Sequence, residues 1–360
     1  MREFSEGDLP EVVELFQRVF PGHGWSSVEQ CRRYFRDIFF DNPWRDPAVP
    51  SWVAESGGRI AGFAGMMARP MLFRGRRIRV AVDCNFIVDP AMRRTLAAVQ
   101  LGRAILSGPQ DLTLADGASD SVQSLWRGLG GEIPLGYNLH WVRSLRPARH
   151  LLGAAQRRLR VPRAVSSLFA PGAALADAVA ARLPANALHA ASQECIDEPA
   201  DAATIAADLP GLVDGKALQP CYEAASLAWL LRQCTGRKGF GALRARRVLD
   251  AQRRPLGTFV YYLQRDGVSE VLQLAARDEH YELVLQRLFA DAWREGAVAL
   301  RGRVDPDRAQ QLSRRHCWMR WEGPATLVYS RDPELLAAIR QGEAFLSRLD
   351  GEWWLRFVSG

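Results

Sequence analysis

Apolar residues recur at helical spacing over residues 8–20 (DLPEVVELFQRVF), where Val12, Val13, Leu15, Phe16, Val19 and Phe20 share one face. Asp8 stands at the N-cap position and Pro10 in the first turn, both favourable places for those residues. A second helix is predicted from Ser27 to Phe39, carrying Cys31, Tyr34, Phe35 and Ile38 inward. Asn42-Pro43-Trp44 ends it, because proline pushes the residue before it out of the helical region. The pattern then changes to strands. Ser51–Glu55 and Arg59–Ala68 flank Gly57-Gly58, a hairpin turn. Met71–Phe73 leads through Arg74-Gly75 into a strand from Arg79 to Val88, rich in β-branched residues. Asp89-Pro90 stops that strand, and helical spacing takes over from Ala91 through Leu96, Val99, Ile105 and Leu106. A short strand at Leu112–Ala115, a helix at Ser119–Leu129 closed by Gly130-Gly131, and a strand at Tyr137–Leu145 follow.

The strand, turn and helix over residues 79–106 carry the most chemistry. This arrangement aims several unpaired backbone N–H groups at one point, and Arg93 and Arg94 add positive charge there. It reads as a phosphate cradle. Residues 148–190, rich in Ala, Arg and Leu with Pro162, Pro171 and Pro184, read as a helical connecting segment. From about Cys195 the grammar of the first half repeats. A helix at Ser226–Cys234 precedes strands at Ala242–Leu249 and Leu256–Leu263, joined by the polar turn Asp250–Arg253. Then come a strand at Val271–Ala276, a helix at Tyr281–Glu295 and a strand at Ala297–Arg303. A helix at Asp305–Arg314 and a strand at Ala325–Tyr329 complete the series. The cradle position of this half, Ala276–His280, has no glycine and two acids, which repel a pyrophosphate.

The order of elements resembles the GNAT N-acyltransferase superfamily over roughly the first 145 residues. The family's turn Q/R-x-x-G-x-G/A is matched by Arg93-Arg94-Thr95-Leu96-Ala97-Ala98. Its N-x-x-A-x-x-L-Y-x-x-L-G-F pattern lines up with residues 119–131, from Ser119 through Trp126 to Gly131. The whole chain is similar to tandem GNAT proteins. The fold class expected is α+β (α/β), with two tandem GNAT-like acyl-CoA N-acyltransferase domains, each a mixed, mostly antiparallel sheet flanked by helices. Residues 1–147 are expected as the donor-binding domain, 148–190 as the helical connection, and 191–360 as a second domain with a degenerate cradle.

The resemblance implies direct attack of an amine on the thioester of acetyl-CoA or another acyl-CoA, with no acyl-enzyme. Backbone N–H groups near Ile87 and Val88 would bind the pantetheine arm, and the turn from Arg93, Arg94 and Thr95 to Leu96, Ala97 and Ala98 would hold the phosphates. Ser119 and Trp126 complete the donor side. His23 and Trp25 fall where such proteins shape the pocket for the acceptor, a small-molecule or peptide amine. Two residues depart from the pattern. Leu96 replaces the first motif glycine, and Trp126 replaces the tyrosine that protonates the leaving thiolate. The thiolate then leaves unassisted, or takes its proton from Tyr137, His140 or water.

Asp83 is the candidate base. An acid among Val80, Val82, Phe86 and Ile87 is costly unless it is paired or functional, and the paired alternative is a salt bridge with Arg77 or Arg79. Asn85, two residues on and expected on the same face, would orient the substrate. Cys84 reads as a small core residue rather than a nucleophile.

Composition adds limits. A chain of 360 residues exceeds one ordinary core, and 48% hydrophobic with 24% charged residues is the balance of a soluble globular protein. The net charge of +7 comes almost wholly from arginine, Lys216 and Lys238 being the only lysines. The basic runs are scattered and no module organises them, which argues against nucleic acid. They suit an acidic partner instead, so an acyl carrier protein stands as an alternative donor, and a non-catalytic acyl-CoA-binding or scaffold protein as the alternative function. No group of residues has metal-ligand spacing, and there is no G-x-S-x-G. Six widely spaced cysteines read as reduced thiols, the N-terminus is too charged for a signal peptide, and no apolar run approaches a membrane span. The expected location is the cytoplasm.

Overall fold

A computed structural model of the chain describes residues 1–21, 27–92, 96–159, 163–182, 195–237, 239–321 and 325–355. In chain order the elements are β1 (Arg2–Glu3), α1 (Leu9–Val19), α2 (Val28–Phe39), β2 (Trp52–Ser56), β3 (Arg59–Phe73), β4 (Arg76–Val88), α3 (Ala97–Leu106), β5 (Leu112–Ala118), α4 (Asp120–Gly128), β6 (Leu139–Ser144), α5 (Pro147–Leu159) and α6 (Arg163–Ala180). They continue as β7 (Ile196–Pro199), α7 (Ala202–Leu212), β8 (Leu218–Pro220), α8 (Ala224–Cys234), β9 (Ala242–Leu249), β10 (Pro255–Leu263), β11 (Val268–Ala276), α9 (Tyr281–Arg294), β12 (Ala299–Arg303), α10 (Ala309–Arg314), β13 (Trp318–Trp321), β14 (Ala325–Tyr329) and α11 (Pro333–Arg340).

The chain forms two compact units, and neither is continuous in sequence. One comprises Met1–Asn138, Gly215–Cys234 and Glu322–Gly360; the other comprises Leu139–Asp214 and Thr235–Trp321. This differs from the expected boundaries at 147 and 191. The reason is strand exchange along the sequence. β6 pairs antiparallel with β12 and β13, so it belongs to the second sheet, whereas β14 pairs antiparallel with β5 and closes the first.

The first unit has the strand order β1-β2-β3-β4-β5-β14, with β8 pairing the far end of β3. Its neighbours are antiparallel except β4 and β5, which run parallel. Alternation of side chains gives the sheet two different faces. On one, Phe35 of α2 meets Phe16 of α1 at 5.4 Å and Phe63 of β3 at 5.7 Å between ring centroids. On the other, Leu101 and Ile105 of α3 and Trp126 of α4 pack on Ala54, Ala64, Met66, Ala81 and Ala115. Small strand residues on this face let the helices sit close. At Gly62 a Cβ would come within 2.8 Å of the Leu101 side chain. β3 runs unbroken through Pro70, where a break between Ala68 and Met71 was expected. The Pro70 carbonyl accepts from the Cys221 N–H at 3.1 Å, on the edge away from β4, so its missing N–H faces that same edge and costs no β3–β4 ladder bond.

The second unit repeats this plan in the order β13-β6-β12-β11-β10-β9-β7. β9, β10 and β11 are antiparallel, and α9 leads into β12, which runs parallel to β11. Val284, Leu285 and Leu288 of α9 pack on Phe259, Tyr261, Val271 and Leu300. Both units are thus mixed sheets flanked by helices, as the sequence predicts.

The interleaved topology makes a prediction. Residues 1–147 expressed alone would carry β6 without its partners and β5 without β14, so they should show no cooperative thermal transition by circular dichroism, whereas the full chain melts cooperatively.

Candidate active site

The site begins where two paired strands stop pairing. β4 and β5 are joined at Val80–Leu112, Ala81–Thr113 and Val82–Leu114. β4 then continues to Val88 and β5 to Ala118 without further pairing between them. A β-bulge shapes the free part of β4. Phe63 pairs with Ile87 but Gly65 with Cys84, so β4 holds one residue more than β3 across this step. Asn85 takes up the excess with a left-handed φ of 55°, a conformation asparagine tolerates better than most residues. At Gly65, opposite, a Cβ would lie 2.6 Å from the Cys84 carbonyl oxygen, so only glycine fits the bulge.

The bulge resets the alternation. Asp83 pairs with Met66, on the face covered by α3 and α4. Asn85 was expected on that same face. Instead its amide donates to the Tyr34 hydroxyl of α2 at 3.1 Å, on the opposite side. Phe86 and Val88 pack toward the α3 face, and Ile87 is buried with Phe63 on the α1–α2 side. The Asp89 N–H donates to Ala61 on β3, so strand alternation turns the Val88 N–H the other way, toward the edge that β5 has left.

Between the parted strands lies a cavity of about 280 Å³. Asp83, Cys84, Asn85 and Phe86 form one wall, and Ala115, Gly117, Ala118 and Ser119 the other. Phe16 and Phe20 of α1 and Val122 of α4 close the apolar sides. Asp83 is 2% exposed, its Oδ1 has no hydrogen-bond partner, and no cation among the described residues forms an ion pair with it. The salt-bridge alternative is therefore not realised: Arg79 binds Asp46 at 2.6 Å and Arg77 lies 3.9 Å from Glu223. Burial pushes the Asp83 carboxyl up to about 7. The Trp126 indole N–H opposes this only in part, since neither it nor Asp83 Oδ1 completes a hydrogen bond. A carboxyl that titrates near neutrality can take a proton at physiological pH, which an ordinary surface aspartate does poorly. Burial also holds the neighbouring Cys84 thiol well above its ordinary value, so that thiol stays protonated and is a poor nucleophile.

Sequence reasoning missed a second carboxylate. Glu352, from the segment after α11, lines the same cavity. Its backbone N–H donates to Asp116 Oδ1 at 2.6 Å, and a Cβ on Gly117 would lie 2.6 Å from its Oε1. The preceding Gly351 leaves room for the Asp116 carboxylate, 2.3 Å from where a Cβ would stand. The segment is anchored on both sides of Glu352. The buried Arg69 guanidinium stacks on Trp44 at 4.0 Å and Trp354 at 5.5 Å, and Asp350 accepts from the Ser347 N–H at 2.7 Å and from the Tyr222 hydroxyl. A Gly-Glu pair ahead of two tryptophans was the only local signal, and nothing local tied it to β5.

The remaining predicted residues divide clearly. Ser119 lines the cavity at the start of α4. Leu96 is exposed at the N-cap of α3 and supplies no side-chain acceptor there; Ala97 is buried and Ala98 half-buried. α3 begins at Ala97 rather than Ala91, after a short 3-10 turn at Pro90–Met92. Two assignments are corrected. Trp126 is fully buried in the core and is absent from the cavity wall. Tyr137 lies in a short 3-10 turn, and its hydroxyl donates to the Ala344 carbonyl at 2.6 Å and accepts from the Ala344 N–H at 3.1 Å, so it pins the C-terminal segment and does not reach the cavity. His140 belongs to the sheet of the other unit. His23, Trp25, Arg93, Arg94 and Thr95 lie outside the described residues.

In the second unit β11 and β12 also pair for only three residues, from Val268–Ala299 to Glu270–Arg301. There Arg308 forms an ion pair with Asp278 and lies 5.0 Å from the Tyr281 ring, so the chain's own side chains meet at the start of α9. Among the described residues no group of His, Cys, Asp or Glu is arranged to hold a metal ion.

The fold has known counterparts. The chain is similar to a GCN5-related N-acetyltransferase from Kribbella flavida, with 16% identity and a TM-score of 0.56 over 91% of this chain and 69% of that one. It is similar to one from Anabaena variabilis at 12% identity and a TM-score of 0.57, covering 92% and 72% of the two chains. A conserved Enterococcus faecalis protein of unknown function aligns at 10% identity and a TM-score of 0.59, over 91% and 71%. No protein-family model and no curated protein matches. The chain therefore has the GCN5-related N-acetyltransferase fold, and at these identities the likeness extends to the fold alone.

Tyr137→Phe should cost about 1–3 kcal/mol in stability by leaving the Ala344 backbone groups unpaired. Chemical denaturation checks this.

Proposed function

We propose that the protein is an N-acyltransferase that moves an acyl group, most simply acetyl, from an acyl-CoA to a primary amine by direct attack. The observation that carries this reading is Asp83: a desolvated, unpaired carboxyl at the fork of two parallel strands. The fork supports the donor side of the reading. The Val88 N–H faces an unpaired edge that suits a pantetheine amide, and Arg93 and Arg94, which precede α3 in the sequence, would supply basic charge for the phosphates. Leu96 leaves a Cβ where the resembled motif has glycine, and its exposure means that this side chain can lie outward from the turn.

The acceptor arrives as an ammonium ion and meets Asp83 and Glu352 on the cavity wall. Loss of one proton to Asp83 frees the nitrogen lone pair, which attacks the thioester carbonyl carbon. The tetrahedral adduct gives its second nitrogen proton to water as its C–S bond breaks, the thiolate takes a proton back from water, and Asp83 then releases its own proton to solvent. The products are an amide, free CoA thiol and one net proton. Buried Trp126 and backbone-bound Tyr137 leave water as the proton donor in this scheme.

Three results test the reading. Isothermal calorimetry should detect acetyl-CoA binding to the folded chain, and absence of binding at millimolar donor would reject it. Asp83→Asn should keep that binding while lowering amine-dependent thiol release by about 10²–10⁴-fold. The rate should rise with pH to a plateau, with a midpoint near 7 set by the base form of Asp83.

Stability should move the opposite way. The folded state holds the Asp83 proton up to about 7 while the unfolded chain releases it from 3.8, so this group costs stability as pH rises between those values. Asp83→Asn should therefore melt higher than the parent at pH 8 even as it loses activity.

A further inference from the structure

The helices α5 and α6 expose two apolar stripes that no element among the described residues covers. On α6, Phe169, Gly172, Leu175, Ala176 and Val179 are all exposed. At helical geometry they fall within about 120° of arc over about 15 Å of axis. Phe169 is 62% exposed, Leu175 70% and Val179 56%. On α5, Leu151, Ala154, Ala155, Arg158 and Leu159 follow i, i+3, i+4, i+7, i+8 spacing and are likewise exposed, Leu159 to 71%. An amphipathic helix normally turns such a stripe inward, so large side chains left outward on both helices of one hairpin mark a contact surface.

Charge selects the occupant. Residues 147–182 contain six arginines and one acid, Asp177. That acid is buried, accepting from the Ala148 and Arg149 N–H groups at 2.7 and 3.2 Å, so it caps α5 and presents no negative charge outward. A second copy of the same hairpin would bring like charges together. A nucleic acid would engage the arginines and leave Phe169, Leu175 and Leu159 in water. Among the described side chains Arg158 and Arg182 are exposed, whereas Arg149 pairs with Asp177 and Asp266. An apolar stripe with Arg158 within it and Arg182 just beyond α6, on a segment of net positive charge, matches the layered chemistry of an anionic bilayer, acyl chains beneath phosphate headgroups. We infer that α5–α6 docks this protein on an anionic lipid surface, lying in the interface plane. No helix among the described residues is long and apolar enough to cross a membrane, in keeping with surface attachment. This inference is independent of the proposed transferase activity.

The full chain, spun with vesicles of phosphatidylcholine alone or mixed equally with phosphatidylglycerol, should pellet only with the anionic vesicles, and less as salt is raised. Phe169→Asp with Leu175→Asp should abolish pelleting while the circular dichroism spectrum and thermal melt match the parent. Arg158→Gln should weaken vesicle binding about fivefold. Failure to pellet with anionic vesicles, or equal pelleting of the double variant, overturns the inference. So does a dimer that the double variant splits in light scattering while the parent ignores vesicles, which would assign the surface to a second copy.

Discussion

The separation of β4 from β5 after the Val82–Leu114 pair is the constraint from which the site follows. Parallel strands inside a sheet normally satisfy each other's backbone groups along their shared length. Here they stop after three pairs, so both strands present an unpaired edge to one cavity. Helices lie against both faces of that edge. Asp83 sits at the first unpaired step, where the same helices remove its water without giving it a cation. An open backbone edge and a raised carboxyl pKa are two consequences of one topological fact.

The arrangement is costly. A buried carboxyl without a hydrogen-bond partner on Oδ1 destabilises the folded state, and nearby Arg77 and Arg79 are engaged elsewhere. Such an uncompensated group is better explained by a chemical role than by packing. The bulge at Asn85 belongs to the same design. It turns Asn85 to Tyr34 and frees Phe86 and Val88 to face α3, at the expense of a left-handed residue and a glycine at position 65.

Much of the fold was legible in the sequence because its signals are local. The helical spacing of Val12 to Phe16, the Gly57-Gly58 hairpin and the strand–turn–helix around Asp89-Pro90 all appear near their predicted places. The repeat in the second half was legible for the same reason. The exchange of β6 and β14 was not, because strand pairing depends on partners more than 150 residues apart, which no local pattern encodes. Of the site, Asp83 was visible as an acid in an apolar strand. Glu352 was invisible because only tertiary packing on Arg69 and Asp116 brings it there. Tyr137 misled for the converse reason: a hydroxyl in the right part of the sequence is bonded to the backbone of Ala344. Asn85 was placed on the wrong face because an alternation rule fails at a bulge.

A crystal structure with CoA bound tests the central claim most directly. The pantetheine arm should lie between β4 and β5, bonded to the Val88 N–H, with its sulfur facing Asp83. CoA seated only in the second unit, or β4 and β5 paired through to Val88 and Ala118 with the cavity closed, would contradict it.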